Sequence, residues 1–100
     1  MSRSYRLTPE AQAQFVAIGE FVAQDSIEAA LNLYDALEGA FEQLAAMPEM
    51  GHVREDLTER PVKFWSVFSY LVIYDPASDP LSIIAIVHGA RDVESVLKNQ

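Results

Sequence analysis

A chain of 100 residues can build one hydrophobic core but not two, and half of these residues are hydrophobic. No apolar run approaches the roughly 20 residues of a membrane-spanning helix, and the absence of cysteine excludes both a disulfide framework and thiolate chemistry. The net charge of −8 argues against docking on bare nucleic acid or an anionic membrane and favours a basic protein as partner.

Ser4 to Thr8 alternates weakly and reads as a short first strand. Thr8-Pro9-Glu10 is a helix start: a capping hydroxyl, a proline suited to the first helical position, and an acid in the positive first turn. Ala11, Phe15, Ile18 and Val22 then recur at helical spacing, and this helix ends near Gln24. Asp25 is the expected cap of a second, longer helix, with Glu28 three residues on as in a capping box. Its buried stripe is expected to be Ile27, Ala30, Tyr34, Leu37, Phe41 and Leu44, widened by Leu31, Leu33 and Ala45, while Glu28, Asp35 and Glu42 face water. So short a link makes the helices an antiparallel hairpin. Pro48 disfavours helical backbone at Met47 and ends the second helix there.

Pro48 to Pro61 is the longest irregular stretch and carries Gly51, His52, Arg54 and Arg60. Val62 to Val67 reads as the second strand and Tyr70 to Tyr74 as the third. Phe68-Ser69 is the turn between them, although it lacks the glycine or asparagine such turns favour. Asp75 to Pro80 is a loop rich in turn residues. Leu81 to His88 is apolar nearly throughout, as a strand covered on both faces would be. Asp92 is the expected cap of a short last helix through Val93, Val96 and Leu97. The order β–α–α–β–β–β–α gives an α+β fold, a helical hairpin packed on a mostly antiparallel four-stranded sheet, as one domain over residues 1–100. One helix pair covers one sheet face, so apolar surface on the other face or along an edge is expected to remain for a partner.

Charge is uneven along the chain. Two basic and eight acidic side chains fall in residues 1–50, and five and seven in residues 51–100, for net charges of −6 and −2. The opening MSRSYRLTPE lacks the apolar core of a secretory signal, and a cytoplasmic location is expected.

Constellations for catalysis are thin. The two histidines, His52 and His88, show no metal-ligand spacing, and no phosphate-binding glycine loop or nucleophile elbow occurs, so no cofactor is implied. His88 ends an apolar strand and reads as a strand-end histidine bonded to the backbone. Arg91 is either an ion-pair partner or a surface contact. Trp65 shares a strand face with Lys63 and Val67 and reads as core. Phe68, an aromatic in a tight turn, is hard to bury: it is either a binding anchor or folded back onto the helices.

Taken together, five segments resemble the ParE toxins of the RelE/ParE toxin–antitoxin superfamily. They are Leu7-Thr8-Pro9-Glu10-Ala11, the helix exit Leu44 to Gly51, Phe64-Trp65-Ser66-Val67, Tyr70-Leu71-Val72-Ile73-Tyr74, and Ile86-Val87-His88-Gly89-Ala90-Arg91-Asp92, in the family's order along the chain. The resemblance implies the toxin half of a type II pair that poisons DNA gyrase and is neutralised by a ParD-type antitoxin, with no direct nucleic-acid binding and no membrane. The antitoxin is expected to contact Trp65, Phe68 and Tyr70. The target is expected to contact Arg54, Arg60, Lys63, His88 and Arg91, in a binding rather than a proton-transfer role. The related RelE-type toxins cleave mRNA on the ribosome with basic residues and a tyrosine near the C-terminus. Here Val93 to Gln100 holds no tyrosine, and an acidic chain is poorly suited to rRNA. A ribosome-dependent endonuclease and a non-toxic binding domain are the alternative readings.

Overall fold

The computed structural model describes residues 4–89 together with Val93 and Leu97. Strand β1 (Tyr5–Leu7) leads into helix α1 (Pro9–Ala23), whose cap is Thr8. The Thr8 hydroxyl accepts a hydrogen bond from Ala11 N at 3.1 Å and donates to Ile84 O at 2.9 Å, so one side chain both starts the helix and ties it to the sheet.

Helix α2 (Ile27–Ala46) is capped by Ser26, whose hydroxyl accepts from Ala29 N at 3.1 Å, and not by Asp25 as expected. Helix α1 ends where the sequence suggests, with Gln24 as its C-cap, but Asp25 still belongs to its closing turn. Asp25 N still donates to Val22 O at 3.0 Å, which binds Asp25 to the end of α1, and the extended backbone a cap needs comes one residue on, at Ser26 (φ −156°).

Strands β2 (Lys63–Val67), β3 (Tyr70–Asp75) and β4 (Leu81–His88) follow the long loop. The sheet order is β1-β4-β3-β2, with β2/β3 and β3/β4 antiparallel and β1 parallel to β4. The β3/β4 register slips between Ile73 and Tyr74, where Ala85 and Ile83 face successive β3 residues. An extra residue in one strand reverses the face of those beyond it. Leu81, Ile83 and Ile86 therefore point to the helices, and Ala85 and Val87 to the opposite face. The expectation of a strand buried on both sides holds.

The helix-side core joins Leu33, Leu37, Phe41 and Leu44 of α2 to Val72, Tyr74, Ile83 and Ile86. The opposite face does not remain bare as expected: the chain's own Val62, Val93 and Leu97 are buried against Phe64, Leu71, Ile73 and Val87, with Leu57 packed at the margin. The expected cap Asp92 lies outside the described residues. The α2 stripe is also rotated from its expected phase. Ala30, Leu33, Leu37, Phe41 and Leu44 reach the core, while Ile27 and Leu31 are 71 % and 59 % exposed. Glu28, Asp35 and Glu42 are exposed as expected.

Tyr34 crosses from α2 over Gly19 of α1. Its ring stacks on Phe15 with centroids 4.5 Å apart, and its hydroxyl donates to Val16 O at 3.1 Å. A β-carbon at position 19 would fall inside that ring, so glycine sets the close approach of the two helices.

The Pro48–Pro61 loop is anchored rather than slack. The buried Tyr74 hydroxyl donates to Pro48 O at 2.7 Å and accepts from Gly51 N at 2.9 Å. His52 exchanges backbone hydrogen bonds with Phe64 at 2.9 and 2.7 Å, which extends the β2 edge. Burial, with a smaller contribution from Glu49, raises the Tyr74 pKa above the ordinary tyrosine value, against the opposing pull of the Gly51 N–H. Burial and then Glu38 and Glu42 raise that of Tyr5. A folded pKa above the unfolded one gives stability that is complete below about pH 10 and lost as pH rises through the folded value. Denaturant midpoints are therefore expected to fall above about pH 10. Tyr74→Phe should show a shallower fall, and a loss of roughly 1–3 kcal/mol at neutral pH because Gly51 N–H is left buried without its acceptor. A variant with the parent's midpoint at every pH would show that this hydroxyl does not hold the loop.

Candidate functional site

The site is an apolar furrow at the end of the sheet where β2 turns into β3. Val67 pairs with Tyr70, leaving Phe68 and Ser69 as a two-residue turn. Phe68 adopts φ 54°, a left-handed conformation that costs a non-glycine residue about 1 kcal/mol, and its side chain is 73 % exposed. Tyr70 pairs with His88 across β3 and β4, and their rings meet edge-on with centroids 5.1 Å apart. Gly89, at φ 69°, closes the strand end by donating to Ser69 O at 2.9 Å.

Two adjoining hollows share the Tyr70–His88 wall. One is completed by Ala17, Ile18 and Phe21 of α1. The other is completed by Val22 of α1, by Ala29, Asn32 and Leu33 of α2, and by Phe68 with Ser69. Phe21 is 70 % exposed, so two phenylalanine rings stand out from the surface at opposite sides of the furrow.

The structure brings Phe68 and Tyr70 together as the sequence suggests. It places Trp65 elsewhere, half-buried on edge strand β2, on the helix-side face, with its ring stacked on His52 at 6.1 Å. The backbone bond expected of the His88 side chain is absent among the described residues; its partner is the Tyr70 ring. Phe21 is the residue sequence reasoning missed. Its signal is weak in the sequence, because a step of three from Ile18 fits the buried stripe and the position lies only about a quarter-turn from the stripe's centre.

The candidate target contacts do not gather in one place. Arg54 holds Asp56 through bonds of 3.0 and 2.8 Å, and that hydrogen bond lowers the Asp56 pKa below the usual carboxylate value. Lys63 Nζ lies 3.6 Å from Glu49 Oε1 and donates to Gly51 O at 3.5 Å. Arg60 lines a shallow hollow with Glu55, Thr58 and Glu59. These three belong to the loop end of the sheet. Lys63 pairs with Tyr74 and His88 with Tyr70, so His88 stands four residues along β3, about 13 Å away at strand rise. Arg91 lies outside the described residues.

A helical hairpin on a four-stranded mixed sheet, with an open apolar furrow at one sheet end, makes this a small α+β domain. The solved "Chromosomal ParDE TA system from P. aeruginosa" contains a chain that superposes with a TM-score of 0.70 at 20 % identity, covering 88 % of this chain and 97 % of that one. The family described as "ParE toxin of type II toxin-antitoxin system, parDE" matches residues 5–93, and the chain belongs to it. No curated protein matches the chain in sequence.

Proposed function

We propose that this ParE-type toxin acts as a single domain over residues 1–100, in the cytoplasm, by binding DNA gyrase and stabilising its cleaved-DNA state, without catalysis of its own. A ParD-type antitoxin neutralises it by laying an amphipathic segment along the furrow, with Phe68 and Tyr70 as anchors. The observation that carries the reading is the family match across residues 5–93. The cations support a binding role: phosphoryl chemistry needs charged groups converging on one phosphate, whereas Arg54 is held by Asp56, Lys63 lies by Glu49, and His88 stands at the other end of the sheet. Arg54, Arg60, Lys63, His88 at the end of β4 and, from the sequence, Arg91 are assigned to the target. Antitoxin in the furrow would cover His88 and so mask part of that surface. Among the described residues no helix is long and apolar enough to cross a membrane.

The test adds purified protein to gyrase with supercoiled DNA and, separately, to translating ribosomes. The expected result is accumulation of cleaved DNA in the first assay and intact mRNA in the second. Site-specific mRNA cleavage without any effect on gyrase would replace this reading with the ribosome-dependent endonuclease.

A further inference from the structure

No lysine or arginine occurs between Arg6 and Arg54, a span that holds both helices and eight acids. Three of those acids, Glu10, Asp25 and Glu28, stand on the segments that frame the furrow, whereas Glu38 and Glu42 lie by Tyr5 and Glu49 by Lys63. Glu10, Gln14, Ala17 and Phe21 follow one another at i, i+4, i+7 and i+11, so they share one face of α1. Gln14 fixes that face against the sheet by accepting from Ile86 N at 2.8 Å. Asp25 borders the surface beside Phe21 and Val22 at the far end of the same helix. Glu28 is exposed next to Ala29, which lines the second hollow. The apolar lining that α1 gives the hollows runs from Ala17 to Val22, with Asp25 just beyond one end, Glu10 about 10 Å before the other at helical rise, and Glu28 on the neighbouring helix. No described residue lining the two hollows is a lysine or arginine.

We infer that the occupant of this furrow is a cationic amphipathic segment, with apolar side chains between Phe21, Phe68 and Tyr70 and lysines or arginines facing Glu10, Asp25 and Glu28. A second copy of this chain fits poorly, because it would bring the same acidic hairpin and a second net charge of −8 against the first. An acidic segment meets the same repulsion. Charge complementarity of this kind sets partner choice and association rate more than contact area does. The inference rests on the reading of the furrow as the antitoxin-binding surface and adds the chemistry of the segment that fills it.

The test uses two synthetic amphipathic helices of about 18 residues, long enough to span the furrow, with identical leucine and phenylalanine positions. One carries lysine at its polar positions and the other glutamate. Each is titrated into the full chain by calorimetry. The lysine peptide is expected to bind at least about tenfold more tightly. The preference should shrink in the E10Q/D25N/E28Q variant, and again when salt is raised from about 50 to about 500 mM. Both peptides should lose affinity to Phe21→Ser, an exposed position where folding is checked by thermal melting. Equal binding of the two peptides, or a preference for glutamate, overturns the charge inference while leaving the furrow a docking site. Failure of both to bind overturns the docking reading as well.

Discussion

Replacing Phe68 by glycine is expected to stabilise the free domain and, at the same time, to release the antitoxin. The left-handed backbone at φ 54° is one that glycine adopts without a β-carbon clash. The strain relieved, roughly 1–2 kcal/mol, exceeds the roughly 0.4–1 kcal/mol that glycine costs through the freer unfolded chain, so unfolding should gain about 0.5–1 kcal/mol. Little burial is lost in exchange, since the ring is 73 % exposed. Affinity for the antitoxin should fall by about 2 kcal/mol or more, roughly 30-fold, as for an aromatic anchor. Phe68→Ala separates the two effects: it should lose the same affinity but gain no stability, because alanine keeps the β-carbon. Denaturant unfolding and a binding titration on the three proteins check both halves. A Phe68→Gly protein that binds normally would show that the exposed ring is not the anchor, and one no more stable than the parent would show that the turn carries no strain. An exposed aromatic held in a disfavoured conformation points to selection for something other than folding.

That turn also shows where the sequence was legible and where it was not. The pairing of two apolar runs around Phe68-Ser69 located the hairpin even though the turn residues were wrong for it. The mismatch then proved informative, because its physical cause is the positive φ of Phe68. Strand β4 was legible end to end, since a run from Leu81 to His88 with no polar alternation has to be covered on both faces. What covers it was not. Val62, Val93 and Leu97 come from distant parts of the chain, and no local pattern announces that they meet on one sheet face. The Ser26 cap was missed because Asp25 is an equally good capping residue. The choice is made by the Asp25 N–H staying bonded to Val22 O, a matter of where α1 stops and not of residue type. In the candidate site, residues on consecutive strands could be grouped from sequence, as Phe68 and Tyr70 were. The contribution of α1 could not, because it requires knowing which side of the helix the sheet leaves uncovered.

The same helical hairpin presents phenylalanines of opposite character, and Phe41→Ala should separate folding from recognition more sharply than any change in the furrow. Phe41 is 1 % exposed. Its ring lies 5.3 Å from that of Tyr5 and 6.1 Å from that of Phe15, which in turn stacks on Tyr34. One side chain thus joins α2 to β1 and to α1. Strand β1 has only three residues and pairs with β4 alone, so it leans on this contact. Truncating a buried phenylalanine costs about 3–5 kcal/mol, a large share of the 5–15 kcal/mol typical of a whole domain. At roughly 4–8 °C per kcal/mol for a chain of this size, the melting midpoint should fall by about 15 °C or more. Phe21→Ala, at a position 70 % exposed, should move it within about 0.5 kcal/mol of the parent. In cells the two variants should diverge in kind. Phe41→Ala should lose toxicity because little of it is folded, and regain it when the growth temperature is lowered. Phe21→Ala should keep its toxicity and become harder for the antitoxin to suppress. A Phe41→Ala protein that melts with the parent would mean that the packing of these rings does not hold the hairpin on the sheet, and that the furrow between α1 and the end of β3 is framed by some other contact.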